Sequence, residues 1–283
     1  MTTQGTPQDS IRTTTVTGAG GVPLNILDAG PEDAPAVVLL HGFAQSAWSW
    51  VNQLTAPHPL RIVAPDLRGH GRSGKPDSGY AGERAWADDV AAVIAGLGLH
   101  RPVLGGWSYG GLVVMDYIAV HGDSALSGVV TVDATLTAGV PGAELLFGPD
   151  FFALVPQLLA PDAESVVAAR QALLELSTAR PLAPADLLTQ LGASVQTPTR
   201  VCEALLGRAL DRTDVAASVT VPWLAVHGSE DRVVAVAAAD RIASAQPAAE
   251  IQRWEGAGHA PFLEDPARFG KELADFVTKK TCR

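Results

Sequence analysis

A serine flanked by glycines, in Gly106-Trp-Ser108-Tyr-Gly110, has the setting of a nucleophile. It follows a short apolar run and precedes a segment of helical period, so the serine falls on a sharp turn from strand to helix. Such a turn strains the central residue and exposes its hydroxyl, and glycines beside it avoid collisions with neighbouring backbone. The helix that begins there directs free N–H groups towards a developing negative charge. We expect Ser108 to act as a nucleophile.

A serine hydroxyl is a weak nucleophile at neutral pH and needs a base, which in turn needs a group that fixes its tautomer. Asp231 lies just beyond the apolar run Val221–His227, and His259 lies in a glycine-containing loop after the last predicted strand. We expect His259 to be the base and Asp231 to be the carboxylate that orients it.

Two other carboxylates compete for the role of the acid. Glu230 is the neighbour of Asp231. Asp133 ends the strand that follows the helix beginning after Ser108, and a carboxylate at that position can also reach the histidine. His227 and His41 each precede a glycine at a strand end, and we expect them either to be structural or to support the catalytic residues from behind.

Acyl chemistry also requires N–H donors where an oxyanion develops, and the loss of one donor can cost ~2.7–4 kcal/mol of transition-state stabilisation. His41-Gly42-Phe43 follows an apolar strand and offers the N–H of Phe43 opposite that of Tyr109. We expect these two backbone groups to form an oxyanion hole. A substrate pocket is expected to use the side chains of Trp48, Trp107, Phe147, Phe151 and Phe152.

The sequence alternates between short Val-, Leu- and Ile-rich runs and longer segments of helical period. This alternation predicts the strands and helices that must position these residues. This pattern is typical of parallel strands that are buried on both faces and linked by helices. The predicted strands are Arg12–Thr17, Leu24–Asp28, Ala36–His41, Leu60–Pro65, Pro102–Gly106, Leu126–Asp133, Val221–His227 and Glu250–Glu255. The predicted helices are Trp48–Thr55, Glu83–Leu97, Tyr109–His121, Ala235–Ala245 and Pro266–Thr278.

The alternation stops between residues 134 and 217. No strand is predicted there, and the helical stretches are Ser165–Leu176 and Ala185–Leu191. The segment has no lysine, so it offers no basic cradle for a polyphosphate. Its apolar residues either bury the segment against the sheet or line a pocket beneath it, and both uses are compatible. We expect a helical cap at residues 134–217, inserted into a core of residues 1–133 and 218–283.

Composition excludes several classes of protein. The 283 residues are 47% apolar and carry a formal charge of −10, which makes disorder and nucleic-acid binding poor expectations. No apolar run is long enough to span a membrane, and the first sixteen residues lack the pattern of an export signal, so we expect a cytoplasmic protein without a membrane partner. Cys202 and Cys282 are expected to be free thiols. The scattered histidines predict neither a metal site nor a cofactor, and the oligomeric state is left open.

Five segments in this order resemble the α/β-hydrolase superfamily, and the likeness covers about residues 20 to 278. They are HGF at 41–43, DLRGHGRSGKP at 66–76, GWSYGG at 106–111, HGSEDRVV at 227–234 and GAGHAPFLEDP at 256–266. The chain is most similar to bacterial esterases, lactonases and cofactor-free chloroperoxidase-type enzymes. The resemblance implies an α/β fold, with a mostly parallel eight-stranded sheet, flanking helices and a helical cap inserted after the sixth strand.

The type of nucleophile narrows the chemistry. Epoxide hydrolases and haloalkane dehalogenases of this superfamily use aspartate where Ser108 stands, and the similar hydroxynitrile lyases carry lysine where this chain has Ala260. We expect a cofactor-free serine hydrolase that cleaves an ester or lactone of a small to medium apolar substrate through an acyl-enzyme. Three alternatives remain open: a cofactor-free haloperoxidase or perhydrolase, a carbon–carbon bond hydrolase, and a non-catalytic binding protein on the same fold.

Overall fold

An eight-stranded sheet runs through the centre of the structure, a computed structural model that describes residues 11–281. All eight predicted strands are present, with bounds that differ by at most two residues at either end. They are β1 (Arg12–Thr17), β2 (Pro23–Ala29), β3 (Ala36–Leu40), β4 (Arg61–Pro65), β5 (Val103–Trp107), β6 (Gly128–Val132), β7 (Trp223–Gly228) and β8 (Glu250–Trp254).

The strand order is β1-β2-β4-β3-β5-β6-β7-β8. β1 and β2 pair antiparallel, and β2 also runs antiparallel to β4, whereas the pairs from β4 to β8 are all parallel. The register places Gly106 of β5 beside Leu40 of β3. The loops that begin at His41 and Ser108 therefore leave the sheet side by side, as do the loops after the other parallel strands.

The sheet is buried on both faces because helices cover it. Successive residues of β3 enter different clusters: Val38 and Leu40 pack on one side, and Val37 and Leu39 on the other, as the period-2 geometry of a strand requires. The first side is covered by α2 (Glu83–Gly96), α3 (Tyr109–His121) and α9 (Ala237–Ala245). The second side is covered by α1 (Val51–Thr55), α10 (Pro261–Glu264) and α11 (Pro266–Thr281).

A helical insertion follows β6, as expected. Its helices are α4 (Pro149–Leu158), α5 (Ala163–Leu176), α6 (Pro184–Ser194), α7 (Thr199–Leu206) and α8 (Thr213–Ala217). The expectation that residues 134–217 contain no strand is wrong, since Thr137–Ala138 pairs antiparallel with Leu210–Asp211. Two residues per strand are too few to produce a visible alternation of side chains. The exact division between core and cap stays a prediction.

Parts of two expectations concern the chain ends. Residues 1–10, which contribute to the judgement about an export signal, and Cys282 lie outside the described residues, while Cys202 is a buried free thiol. Within residues 11–281, none of the helices combines the length and the apolar composition that crossing a membrane requires.

The insertion is attached to the core by a buried group of charges. Asp116 of α3 has no exposed surface, and it accepts hydrogen bonds from Arg208 at 2.7 Å and from Arg212 at 2.7 Å. Both arginines belong to the insertion. A buried charge pair adds little net stability as a whole, but the removal of one partner leaves the other charge buried and uncompensated.

We expect Asp116→Asn to lower the free energy of unfolding by about 3 kcal/mol, because it leaves two arginines without their shared carboxylate. Asp88→Asn is the matched control: Asp88 of α2 pairs with the exposed Arg84, and its loss is expected to cost less than about 1 kcal/mol. Urea denaturation of both variants measures the difference. Equal losses for the two variants would show that the buried group does not anchor the insertion.

Candidate active site

The turn between β5 and α3 holds Ser108 in a strained conformation. Its φ of 54° lies in the left-handed region, which residues other than glycine rarely adopt. The N–H of Ser108 donates to the carbonyl of Val132 at 2.9 Å, and its carbonyl accepts from the N–H of Gly111 at 2.9 Å. Backbone strain of this kind concentrates at functional sites. Tyr109 begins α3, so its N–H has no acceptor within the helix.

Close backbone packing explains the glycines around Ser108. A Cβ at Gly106 would lie 2.3 Å from the carbonyl oxygen of Gly110, and a Cβ at Gly110 would lie 2.5 Å from that of Leu40. A side chain at Gly106 would therefore collide with the first turn of α3, and one at Gly110 would push that turn away from the end of β3. The glycine spacing noted in the sequence therefore reflects the space that this turn requires.

His259 and Asp231 form a buried pair beyond the ends of β8 and β7. Nδ1 of His259 donates to Oδ2 of Asp231 at 2.7 Å, while Oδ1 of Asp231 accepts from the N–H groups of Val233 at 2.8 Å and Val234 at 2.9 Å. Burial alone would raise the pKa of the Asp231 carboxyl, but His259 and His227 beside it hold that pKa below its usual range. A neutral imidazole with its proton on Nδ1 leaves Nε2 as an acceptor.

Two further contacts fix the loop that carries His259. Nε1 of Trp107 donates to the carbonyl of His259 at 2.7 Å. The carboxylate of Glu264 accepts from the N–H of Gly258 at 2.7 Å and from that of Ala179 at 3.1 Å, so it joins this loop to the residues after α5 in the insertion. Sequence reasoning missed Glu264, because nothing in a single sequence indicates which distant N–H groups a carboxylate will meet.

His41 supports the loop on which Phe43 lies. The buried ring donates from Nδ1 to the carbonyl of Gly42 at 2.9 Å and accepts at Nε2 from the N–H of Leu67 at 3.0 Å. Both bonds exist together only in the neutral ring. Burial lowers the pKa of His41 to about 4, so the ring stays neutral well below pH 6.5. The structural role expected for His41 agrees with this placement.

A cavity of about 500 Å³ lies over Ser108, between the sheet and the insertion. Phe43, Ser108, Tyr109 and His259 all contribute to its wall, whereas Asp231 lies behind His259. Of the residues predicted to shape a pocket, four line the cavity: Trp107, Phe147, Phe151 and Phe152.

Trp48, the fifth predicted pocket residue, does not line the cavity. It packs with the apolar cluster on the α1 side of the sheet, and its carbonyl accepts from Nε2 of Gln190. A sequence places Trp48 near the strand that precedes Phe43, but it does not show that the chain turns this side chain away from the cavity.

Most of the remaining wall was not predicted. Its apolar side chains come mainly from the insertion, with one from α3 and two from the loop after β7, and they are Leu112, Ala138, Val140, Pro141, Ala143, Leu173, Leu174, Leu205, Leu206, Val233 and Val234. The polar residues of the wall that sequence reasoning missed are Gln45, Thr135, Glu144 and Ser177. Glu144 is exposed at the rim, so the wall carries an acidic group there and no lysine or arginine among the described residues.

One group among residues 11–281 has ligand atoms close enough to hold a metal ion: Asp133, Asp231 and His259, within 4.8 Å of one another. The 2.7 Å distance between Asp231 and Nδ1 of His259 is that of a charge-assisted hydrogen bond. A zinc ion that both atoms bound at about 2.0–2.1 Å would replace the shared proton and push them apart. We therefore interpret the three residues as a hydrogen-bonded network.

The chain belongs to the alpha/beta hydrolase family, whose model matches residues 37–272. Its sequence is 30% identical over 281 residues to the non-heme chloroperoxidase of Streptomyces lividans, which covers 93% of this chain and 99% of that protein. It is 31% identical over 252 residues to the pimeloyl-[acyl-carrier protein] methyl ester esterase of Yersinia pseudotuberculosis, covering 85% and 92%. The crystal structure of the esterase RhEst1 from Rhodococcus sp. ECU1013 is similar with 35% identity and a TM-score of 0.87, covering 96% of this chain and 99% of that one. Two of these three similar proteins are named as esterases and one as a non-heme chloroperoxidase.

The buried neutral His41 predicts a pH dependence of stability. Between pH 6.5 and about 4 the unfolded ring binds a proton that the folded ring does not, so stability falls as the pH falls, by up to about 1.4 kcal/mol per pH unit. His41→Gln, which keeps a donor and an acceptor but gains no proton, is expected to reduce this slope.

Urea unfolding at several pH values from 6.5 to 4.5 measures the slope. His100→Gln serves as the control, because the exposed His100 meets solvent before and after unfolding. A slope that is the same in wild type, His41→Gln and His100→Gln would refute the assignment.

Proposed function

We propose that this protein is a carboxylic ester hydrolase that works through an acyl-enzyme on Ser108. The observation that carries the proposal is the shared cavity: Ser108 at its strained turn and His259, oriented by Asp231, face the same apolar space. Nucleophile, base and orienting acid are the three groups that acyl transfer by serine requires.

In the proposed mechanism, Nε2 of His259 takes the hydroxyl proton of Ser108 while Oγ attacks the carbonyl carbon. The carbonyl π bond breaks, and the resulting oxyanion accepts hydrogen bonds from the backbone N–H groups of Phe43 and Tyr109. His259 then gives its proton to the leaving alcohol as the C–O bond breaks. A water, deprotonated in turn by His259, attacks the acyl carbon. His259 then returns the proton to Oγ of Ser108 as the C–Oγ bond breaks and the carboxylic acid leaves, while Asp231 stabilises the transient imidazolium.

The chemistry of the cavity supports a neutral substrate. Its wall is mostly apolar, and its volume of about 500 Å³ lies within the range of small-molecule sites. Among residues 11–281, the one charged side chain in this wall besides the site itself is the acidic Glu144 at the rim. A substrate carboxylate would meet no cationic partner there. We propose an uncharged ester or lactone of small to medium size.

Peroxide-dependent chemistry is a second candidate, favoured by the similarity to a non-heme chloroperoxidase over 93% of the chain. In that reaction hydrogen peroxide would replace water at the acyl-enzyme and yield a peroxy acid, which then oxidises a halide outside the covalent step. Halogenation that depends on peroxide and on a carboxylic acid would support this activity. A carbon–carbon bond hydrolase would instead turn over diketones, and a binding protein would turn over neither.

Ser108→Ala is expected to abolish labelling by a fluorophosphonate and to lower the turnover of p-nitrophenyl esters by several orders of magnitude, because the acyl-enzyme cannot form. Ser177→Ala is the matched control: Ser177 lines the same cavity, but its hydroxyl donates to the carbonyl of Leu173 at 2.7 Å. We expect this control to keep labelling and turnover. Turnover by folded Ser108→Ala at the wild-type rate would refute the proposed nucleophile.

The size of the acyl group should depend on Phe147. Its ring lies 5.8 Å from that of Phe151 in the cavity wall, so Phe147→Ala enlarges the space above Ser108. We expect kcat/KM for an octanoate ester, relative to the acetate ester, to rise roughly tenfold, since additional methylenes find apolar contact. Leu145→Ala, at an exposed position outside the wall, should leave this ratio unchanged. If both variants show the same ratio as wild type, Phe147 does not limit the acyl site.

A further inference from the structure

Asp133 occupies an unusual position behind the His259–Asp231 pair. It follows β6 directly, has a φ of 47° in the left-handed region, and is fully buried. Its Oδ1 accepts from the N–H of Gly228 at 2.8 Å. Among the described residues, no N–H or O–H donor reaches its buried Oδ2. A buried carboxyl oxygen without a hydrogen-bond donor calls for an explanation, since burying a polar atom unpaired is costly.

Among the described residues, four charged or titratable groups surround Asp133. Asp231, on the loop after β7, and His259, on the loop after β8, lie with it inside the 4.8 Å group. Nε2 of His227, in β7, lies 3.8 Å from Oδ1, and Glu264 of α10 adds a more distant negative charge. His227 already donates from Nε2 to the carbonyl of Val234 at 2.9 Å, so Asp133 takes no hydrogen bond from it.

Two carboxylates in one buried site cannot both be ionised at little cost. Asp231 is the better stabilised of the two, because two N–H groups and His259 donate to it, whereas Asp133 receives one N–H. Burial raises the pKa of Asp133 well above its usual value, and the charge on Asp231 raises it further. The single negative charge of the pair therefore resides on Asp231.

We propose that Asp133 is a positioning residue that is protonated at neutral pH and donates from Oδ2 to the carboxylate of Asp231. This inference rests on the proposed function, in which Asp231 orients His259. The hydrogen bond satisfies the otherwise unpaired Oδ2 and adds a donor to the carboxylate that holds Nδ1 of His259. If Asp231 loses its charge, Asp133 can ionise in its place, within 4.8 Å of the imidazole.

The single variants test the donor. Asp133→Asn keeps a neutral group with N–H donors, so kcat is expected to stay within about threefold of wild type. Asp133→Ala removes the donor, and kcat should fall about tenfold, with KM nearly unchanged, because the substrate does not touch this residue. A loss that is equally large in both variants would show that the charge of Asp133 matters, and would overturn the proposal in favour of an ionised Asp133.

A double-mutant cycle separates positioning from a merely structural role. In the Asp231→Asn background Asp133 is the remaining acid, so adding Asp133→Asn should lower kcat at least about tenfold, far more than it does alone. The residual activity of Asp231→Asn should also rise with pH as Asp133 ionises. Equal effects of Asp133→Asn in both backgrounds would refute the proposal.

Infrared difference spectroscopy tests the proton itself, without substrate. The wild type should show the carbonyl band of a buried carboxylic acid at neutral pH, and Asp133→Asn should remove it, whereas Asp88→Asn, at the half-buried surface carboxylate of α2, should not. Absence of the band would overturn the proposal even if the esterase activity is confirmed. If the band is present but no ester is cleaved, the proposed function fails and the assignment of the proton stands.

Discussion

The hydrogen bond between Nδ1 of His259 and Oδ2 of Asp231, 2.7 Å long and buried, is the interaction on which the site depends. A buried carboxylate needs hydrogen-bond donors. Here the loop after β7 supplies two N–H groups, and the loop after β8 supplies the imidazole. The parallel register of β7 and β8, with Gly228 beside Trp254, brings these loops together. The sheet topology therefore determines which parts of a long chain can share one charge.

Hydrogen bonds to neighbouring strands hold two strained residues at this edge of the sheet. Ser108 and Asp133 each come directly after a strand and have positive φ, and the N–H of each continues the ladder, to Val132 at 2.9 Å and to Val226 at 2.9 Å. These bonds hold each unfavourable conformation between strands that are packed on both faces. Ser108 thus contributes to the wall of the cavity that His259 also lines, and Asp133 lies in the group with His259 and Asp231 whose ligand atoms are within 4.8 Å of one another.

Much of this arrangement could be predicted from the sequence, for a physical reason. Strands buried on both faces are uninterrupted apolar runs, which can be recognised in the sequence. The glycines around Ser108 avoid steric clashes with backbone nearby, so they too form a recognisable local pattern. Trp48, Glu264 and the ladder at Thr137 are different cases. Their placement depends on which distant segment lies opposite them, and a two-residue strand or a lone carboxylate has no period to detect. The same limit applied to the cavity wall: three phenylalanines of the insertion and Trp107 were found from composition and neighbourhood, but the leucines facing them were not.

The insertion and the core meet at Tyr109. Nη1 of Arg208, from the insertion, donates to the Tyr109 hydroxyl at 3.0 Å, and Nη2 donates to Asp116 of α3. Burial raises the pKa of Tyr109 to about 12, so the hydroxyl remains protonated while the arginine beside it stays charged. In the proposed mechanism the backbone N–H of this same residue binds the oxyanion. The side chain of Tyr109 is therefore held by the insertion, while its backbone begins α3 directly after Ser108. In the proposed mechanism the cavity wall sets which acyl groups fit, while Arg208 and Asp116 hold the insertion against the helix whose first N–H binds the oxyanion.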